Sequence, residues 1–325
     1  MIYKRPRLCI HEGMNRAWLG QVDDADLLLN EAEKRIQEGA STADTRDMLG
    51  NIAYIRSRIT AMRGDIRRAI ELGLTARELT PANNQALLGG IDVMLGYAYF
   101  LDGDFSNAIR VLNETIHSGK TAGAINTTVA AYCVLARLYT VQGQLHQSFE
   151  LYQEAGKLAN EAGGRQPGVM SIVDVGIADV MIEWNDLKAA LTHVKKALEV
   201  IPLWNKKDDI ALAYTTLSRI QLAQKNLADA VKTIENGSQV ILSGGVFSEA
   251  RDAVISAEIK LRLAQGNHPA VGHLIRSLER RLDAGDPFRF ENELAFITLA
   301  RVFTAQKKTD EAIRLLSRLE DRAQS

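Results

Sequence analysis

Apolar residues in this chain recur at helical spacing, and short polar turns cut the helical stretches at near-equal intervals. Leu95, Gly96 and Tyr99 stand eight, seven and four residues before Gly103, and Leu135, Ala136 and Tyr139 hold the same places before Gly143. Ile177, Ala178 and Met181 precede Asn185 in the same register, as Leu299, Ala300 and Phe303 precede Lys307. Offsets of three and four fall on one face of an α-helix. Downstream of the turns, Ala108 is followed by Leu112, Ser148 by Tyr152 and Ala190 by Val194, which is the facing stripe of a second helix. The pattern predicts antiparallel helix pairs in which a small residue permits close approach and a large one fills the space beside it.

Eight turns carry the pattern: GQVDDA (20–25), GDIRRA (64–69), GDFSNA (103–108), GQLHQS (143–148), NDLKAA (185–190), KNLADA (225–230), GNHPAV (266–271) and KKTDEA (307–312). Their spacings are 44, 39, 40, 42, 40, 41 and 41, with a mean of 41. Such a fixed period is the mark of a repeat architecture. Glycine, or a polar residue tolerant of the left-handed region, ends the first helix, and the next polar residue can cap the second. Lys225 and Lys307 fit this least, so looser turns are expected there. Pro81, Pro167, Pro202 and Pro287 fall between repeats and Pro269 opens a second helix, so no proline interrupts a predicted helix.

The expected fold is therefore all-α: a tetratricopeptide-like right-handed superhelical solenoid of about eight helix-turn-helix repeats, forming one domain over residues 1–325. That length exceeds the usual single core, but each repeat of a solenoid packs only on its neighbours. The tetratricopeptide repeat has 34 residues, so a mean of 41 implies longer helices or longer inter-repeat loops. Gly163–Gly164 and Gly244–Gly245 are the candidate loops.

Composition narrows the function classes. The 39 Lys and Arg balance 40 Asp and Glu, so nothing global draws the chain to nucleic acid or to an anionic membrane. No stretch approaches the roughly 18 apolar residues of a membrane span, and MIYKRPRLCIHEGM has no signal-peptide core. A cytoplasmic setting is expected. Cys9 and Cys133 lie in different repeats and read as small buried hydrophobes. The six histidines are scattered, and His268 and His273 are five apart, which does not make a metal pair on one helix face. With no GxSxG elbow and no phosphate loop, no catalysis, metal or cofactor is expected in this chain.

The inner face of the solenoid is the better place to look for a site. Six residues before each turn, a side chain should point inward from the first helix. Those positions hold Met14, Arg58, Tyr97, Arg137, Asp179, Arg219, Lys260 and Arg301, five of them basic. Two readings stand. The ladder of cations, one carboxylate and a tyrosine suits an acidic peptide, a phosphorylated metabolite or a sugar. Alternatively, each arginine is solvated or paired with glutamate on the adjacent helix. Trp18 is expected in the core. Trp184, directly before a turn, and Trp204, in the loop 202–209, are either packing plugs or ligand platforms.

The flanking strings sharpen the picture. RPRL (5–8), Ala17-Trp18 and GQVDDADLLLNEAE (20–33), followed by RGDIRRAIELGLTA (63–76) and LGYAYFLDGDFSNA (95–108), resemble the sensor region of large ATP-binding LuxR-family regulators, the relatives of the maltose-regulon activator. LARLYTVQGQLHQSFELYQEA (135–155), IEWNDLKAALTHV (182–194) and LARVFTAQKKTDEAIRLLSRLE (299–320) extend the resemblance over nearly the whole chain. It implies a sensor placed between an ATPase and a helix-turn-helix domain of a longer protein, with ATP bound only in that separate ATPase. RELTPANN (77–84) is similar to the start of a LuxR-type DNA-binding domain but lacks the helices that should follow, and is read as a loop. The apolar stripe of Ile313, Leu316 and Leu319 at an uncapped end fits a fragment. The leading expectation is an effector-sensing, protein-interaction domain taking a small-molecule inducer or partner protein on its concave face. The alternative is a free-standing scaffold docking partner peptides.

Overall fold

In the computed structural model, which describes residues 5–38, 43–161, 167–204, 206–267, 269–283 and 290–323, the predicted pairs are present as sixteen α-helices. The first helices of the pairs are α1 (Pro6–Trp18), α3 (Ala43–Met62), α5 (Gln85–Asp102), α7 (Ile125–Val141), α9 (Pro167–Glu183), α11 (Lys207–Ala223), α13 (Ser248–Ala264) and α15 (Glu293–Ala305). The second helices are α2 (Val22–Gln37), α4 (Ile66–Leu79), α6 (Phe105–Ala122), α8 (Leu145–Glu161), α10 (Leu187–Trp204), α12 (Leu227–Leu242), α14 (Gly272–Asp283) and α16 (Thr309–Ala323). No strand occurs among the described residues. The extra length over a 34-residue repeat lies largely in the helices, since α5 through α13 run 16 to 18 residues each. Gly163–Gly164 lies outside the described residues.

One turn geometry serves all eight repeats. The first turn residue is left-handed in every case, with φ between 59° and 86°. Its N–H donates to the carbonyl three residues back, and the next N–H donates to the carbonyl five residues back, at 2.8–3.2 Å. Lys225 and Lys307 close as tightly as the glycines, so the looser turns expected there are not found. Two hydrogen bonds outweigh the cost of holding a residue with a Cβ in this region. Asp65, Asp104, Asp186 and Asn226 then accept from the backbone N–H three residues on, capping α4, α6, α10 and α12.

Most of the predicted core stripes are buried, with Leu95, Leu135, Ala136, Ala178, Leu299, Ala108, Leu112, Ala190 and Val194 at most 3% exposed, while Tyr99, Tyr139, Met181 and Phe303 are half-buried. A Cβ on Gly96 would sit 2.6 Å from the Leu112 side chain, which is why the small position there is glycine. On the second helix Ser148 holds the small position that Ala108 and Ala190 hold in their repeats, while exchanging a 2.7 Å hydrogen bond with Thr140 across the turn. Three expectations need correction. Pro202 lies within the last turn of α10 rather than between helices. Trp204 ends that helix instead of lying in a loop. Arg77–Leu79 complete α4, so only the remainder of 77–84 is a connection.

The odd-numbered helices pack on one another as an inner layer, and the even-numbered ones wrap outside. The right-handed superhelix curls far enough to meet itself. Gly20, in the first turn, touches Gly245 between α12 and α13: a Cβ on Gly20 would lie 2.6 Å from the Gly245 Cα. Lys207 pins that loop by donating to the carbonyls of Ser243 and Gly244 at 3.1 and 3.0 Å. One step along, the Phe290 ring packs edge-on to Phe100 and Phe105 beside Gly103. Repeats far apart in sequence are thus in direct contact around a central space.

Candidate functional site

That central space is a cavity of about 480 Å³, walled by side chains from every odd-numbered helix and by Tyr152 of α8. Its size falls in the range of small-molecule and short-peptide sites. The inner face forms it because helices three turns long or more present residues eleven apart, about three turns, on one line. Most of the wall is apolar, with Val93 and Met94 from α5, Val134 from α7, Ile172 from α9 and Leu212 from α11.

Five of the seven predicted site residues line it together: Arg58, Tyr97, Arg137, Asp179 and Arg219. Lys260 and Arg301 do not. They are exposed at the C-terminal end of the face, where burial, Arg301 and Arg219 together hold the Lys260 ammonium below its usual range. Met14 is half-buried against the N-terminal core. Of the two readings of the basic ladder, the paired one holds for Arg137 and Arg219, which meet carboxylates of other helices. Arg137 pairs with Glu249 at 2.7 Å, and the same carboxylate accepts from the Tyr97 hydroxyl at 2.7 Å. Arg219 spans Asp179 at 2.8 Å and Glu183 at 2.7 Å, while Thr216 donates to Asp179 at 3.0 Å. Four cations, Arg58, Arg137, Lys206 and Arg219, face five carboxylates, Asp179, Glu183, Asp208, Asp209 and Glu249.

Arg58 differs from the others. Its guanidinium carbon lies 4.0 Å from the Trp18 ring centroid and 4.8 Å from that of Phe247, a cation held between two aromatic faces. Its nearest anion, Asp208, is 3.8 Å away, an ion pair without a hydrogen bond. Asp208 is occupied elsewhere, accepting from the Phe247 N–H at 2.7 Å. Trp18 is 38% exposed at the mouth and is not the core residue expected. Trp184 is a packing residue, 5.1 Å from His146 and 5.2 Å from Phe149. The side chain of Trp204 lies outside the described residues.

Low polarity of the wall moves the titrating groups. Burial pushes the Asp179 and Asp209 carboxyls up, against the pull of Arg219 and Lys206 respectively. Burial and Glu249 raise Tyr97 well above its ordinary value, and burial carries the Cys133 thiol up to about 12. For Arg137 burial acts downward and is the largest single influence, but Glu249 together with Tyr97, Tyr152 and Asp179 outweighs it and the guanidinium is held charged. Both cysteines are buried, as their sequence context implies. Among the described residues, no group of three His, Cys, Asp or Glu side chains is placed to hold a metal. No helix there is long and apolar enough to cross a membrane.

The functional residues that offset counting missed are Glu249, Asp208 and Asp209, Lys206, Trp18 and Phe247. A signal existed for two of them: Asp208 and Glu249 lie eleven residues before Arg219 and Lys260, three helical turns away on the same face.

A family model described as the MalT-like TPR region matches residues 50–325. The chain belongs to that family. No curated protein sequence matches it. Among solved structures, this MalT-like TPR region is similar to a Rap protein complexed with competence and sporulation factor, at 14% identity and a TM-score of 0.63, covering 97% of this chain and 96% of that one. It is similar also to NprR in complex with its cognate peptide NprX, at 12% identity and a TM-score of 0.66, covering 98% and 86%. A signal-transduction ATPase with a tetratricopeptide repeat sensor from Pyrococcus horikoshii matches at 13% identity and a TM-score of 0.52 over 92% of this chain and 45% of that one. At such identities the likeness establishes the fold.

Proposed function

We propose that this MalT-like TPR region is the effector-sensing domain of a larger ATP-binding LuxR-type transcription regulator, taking an inducer or a short peptide into the central cavity. The observation that carries the reading is the cavity's construction. Its wall joins the first repeats to the sixth and seventh, so an occupant touches both ends of one superhelical turn and favours one pitch over others. Family membership supports a sensor role, and the archaeal ATPase supplies a precedent for such a solenoid beside a nucleotide-binding domain. The complexes of a Rap protein with competence and sporulation factor and of NprR with its cognate peptide support a bound effector. In this reading ATP and DNA are handled by neighbouring domains, the chain itself is not an enzyme, and the protein works in the cytoplasm. Occupancy is read by the neighbouring domains through the change in pitch.

Thermal-shift screening of the purified chain against metabolites, oligosaccharides and short peptides tests this. Any stabilising compound should lose its effect in an Ala130→Trp variant, whose indole fills the cavity, while helicity is kept. Undiminished stabilisation in that variant would place the ligand elsewhere and sink the proposal.

A further inference from the structure

Two side chains on the cavity wall are more than nine-tenths buried yet hold polar atoms with no partner in the protein. Arg58 is 6% exposed, and neither its Nε nor its Nη2 has a hydrogen-bond acceptor. Asp209 is 7% exposed: its Oδ1 takes the Lys206 Nζ at 3.2 Å, but its Oδ2 has no donor. Buried polar groups in folded proteins are ordinarily satisfied, and an orphan on the wall of a cavity points to what the cavity holds.

The chemistry of each orphan names its partner. Nε–H and one N–H of Nη2 run parallel along one edge of the guanidinium, the pair that takes both oxygens of a carboxylate. Trp18 and Phe247 both stack on the guanidinium, and its Nε/Nη2 edge is what they leave without a partner. Asp208 does not fill it: its Oδ1 takes the Phe247 amide, and its Oδ2 stands 3.8 Å from Nη2, beyond hydrogen-bond reach. A phosphate fits less well, because five carboxylates already face four cations here and a second negative charge would add to that excess. On the opposite sign, the surplus carboxylate and the bare Oδ2 of Asp209 call for a cationic donor. An uncharged ligand would leave both groups buried and unmatched, at a cost in affinity.

We propose that the cavity takes a zwitterion, an amino-acid derivative or short peptide with both ends free, its carboxylate on the Nε/Nη2 edge of Arg58 and its ammonium on Oδ2 of Asp209. The apolar wall around Val93, Met94, Val134 and Leu212 receives the side chains. This rests on the cavity being the sensing site and adds the class of molecule sensed.

The test uses the purified chain, a pool of unblocked tripeptides, the same pool N-acetylated and C-amidated, and a neutral trisaccharide. The unblocked pool should raise Tm, and blocking either end of its tightest member should weaken binding at least tenfold. Arg58→Lys keeps the charge and the stacking but loses the fork, and should weaken the free-carboxylate ligand at least tenfold without altering helicity. Asp209→Asn should bind the free and N-acetylated forms equally. Equal binding of blocked and unblocked peptides overturns the proposal, as does an unblocked pool that leaves Tm unchanged. If the trisaccharide alone stabilises, and Ala130→Trp abolishes that effect, the zwitterion is refuted and the sensor cavity stands. Stabilisation by none of the probes counts against both.

Discussion

The carboxylate of Glu249 accepts the Tyr97 hydroxyl at 2.7 Å although 152 residues separate the two in sequence. It receives Arg137 at the same distance, so one side chain at the start of α13 ties together α5 and α7. Tyr97→Phe should cost about 0.5–1.5 kcal/mol, the ordinary worth of one hydrogen bond. Glu249→Gln should cost more, about 1–3 kcal/mol, because it also leaves Arg137 without its counter-charge in a part-buried place. Urea denaturation of the two variants checks the order, and an equal loss would mean that the ion pair is idle.

Gly244 and Gly245 both have left-handed backbone, at φ 72° and 73°, but only Gly245 meets another chain segment. Gly244→Ala should therefore cost only the conformational penalty, about 1–2 kcal/mol. Gly245→Ala adds a collision with the backbone of Gly20, so it should lower Tm further and increase the radius of gyration in X-ray scattering. Identical scattering from the two variants would show that the glycine contact does not set the pitch.

Lys225 stands where four of the first five turns have glycine, at φ 63°. Lys225→Gly should stabilise the domain by about 0.5–1 kcal/mol by relieving the left-handed strain, offset in part by glycine's greater freedom when unfolded. Thermal denaturation measures it, and destabilisation would mean that the lysine side chain contributes packing of its own.

Asp209 gives a pH-dependent prediction. Its carboxyl is raised in the folded protein by burial, so the proton is held more tightly folded than unfolded. The stability from that proton is full below the ordinary value of 3.8 and is lost as pH rises through the raised one. Asp209→Asn should thus be more stable than the wild type at pH 7, with the gain shrinking as pH falls towards 3.8. A gain independent of pH would assign the effect to something other than ionisation.

The repeats and their register were legible because the turns recur at a fixed step and the stripes beside them are local. Leu95, Gly96 and Leu112 can be placed from sequence since each contact lies within one helix pair. The cavity was only half legible for the complementary reason. Arg58, Tyr97, Arg137, Asp179 and Arg219 follow from helical phase alone, but their partners Asp208, Glu249 and Phe247 reach them only after the superhelix has curled. That curl sums small rotations over six repeats, and no short window of sequence encodes it. Trp18 was misplaced for this reason: within its own repeat it reads as core, yet it stands over Arg58 at the cavity mouth. Lysine at the turns misled in the opposite direction, because backbone hydrogen bonds override the local preference of the side chain.

The meeting of Gly20 with Gly245 changes how the array should come apart. In an open solenoid each repeat touches only its neighbours, and unfolding frays inward from free ends as a sum of local steps. Here the first repeat is packed against the loop that follows the sixth, so its loss breaks contacts on two sides at once. The N-terminal pair should melt with the middle of the molecule in a single transition, and hydrogen exchange in α1 should be as slow as in α11.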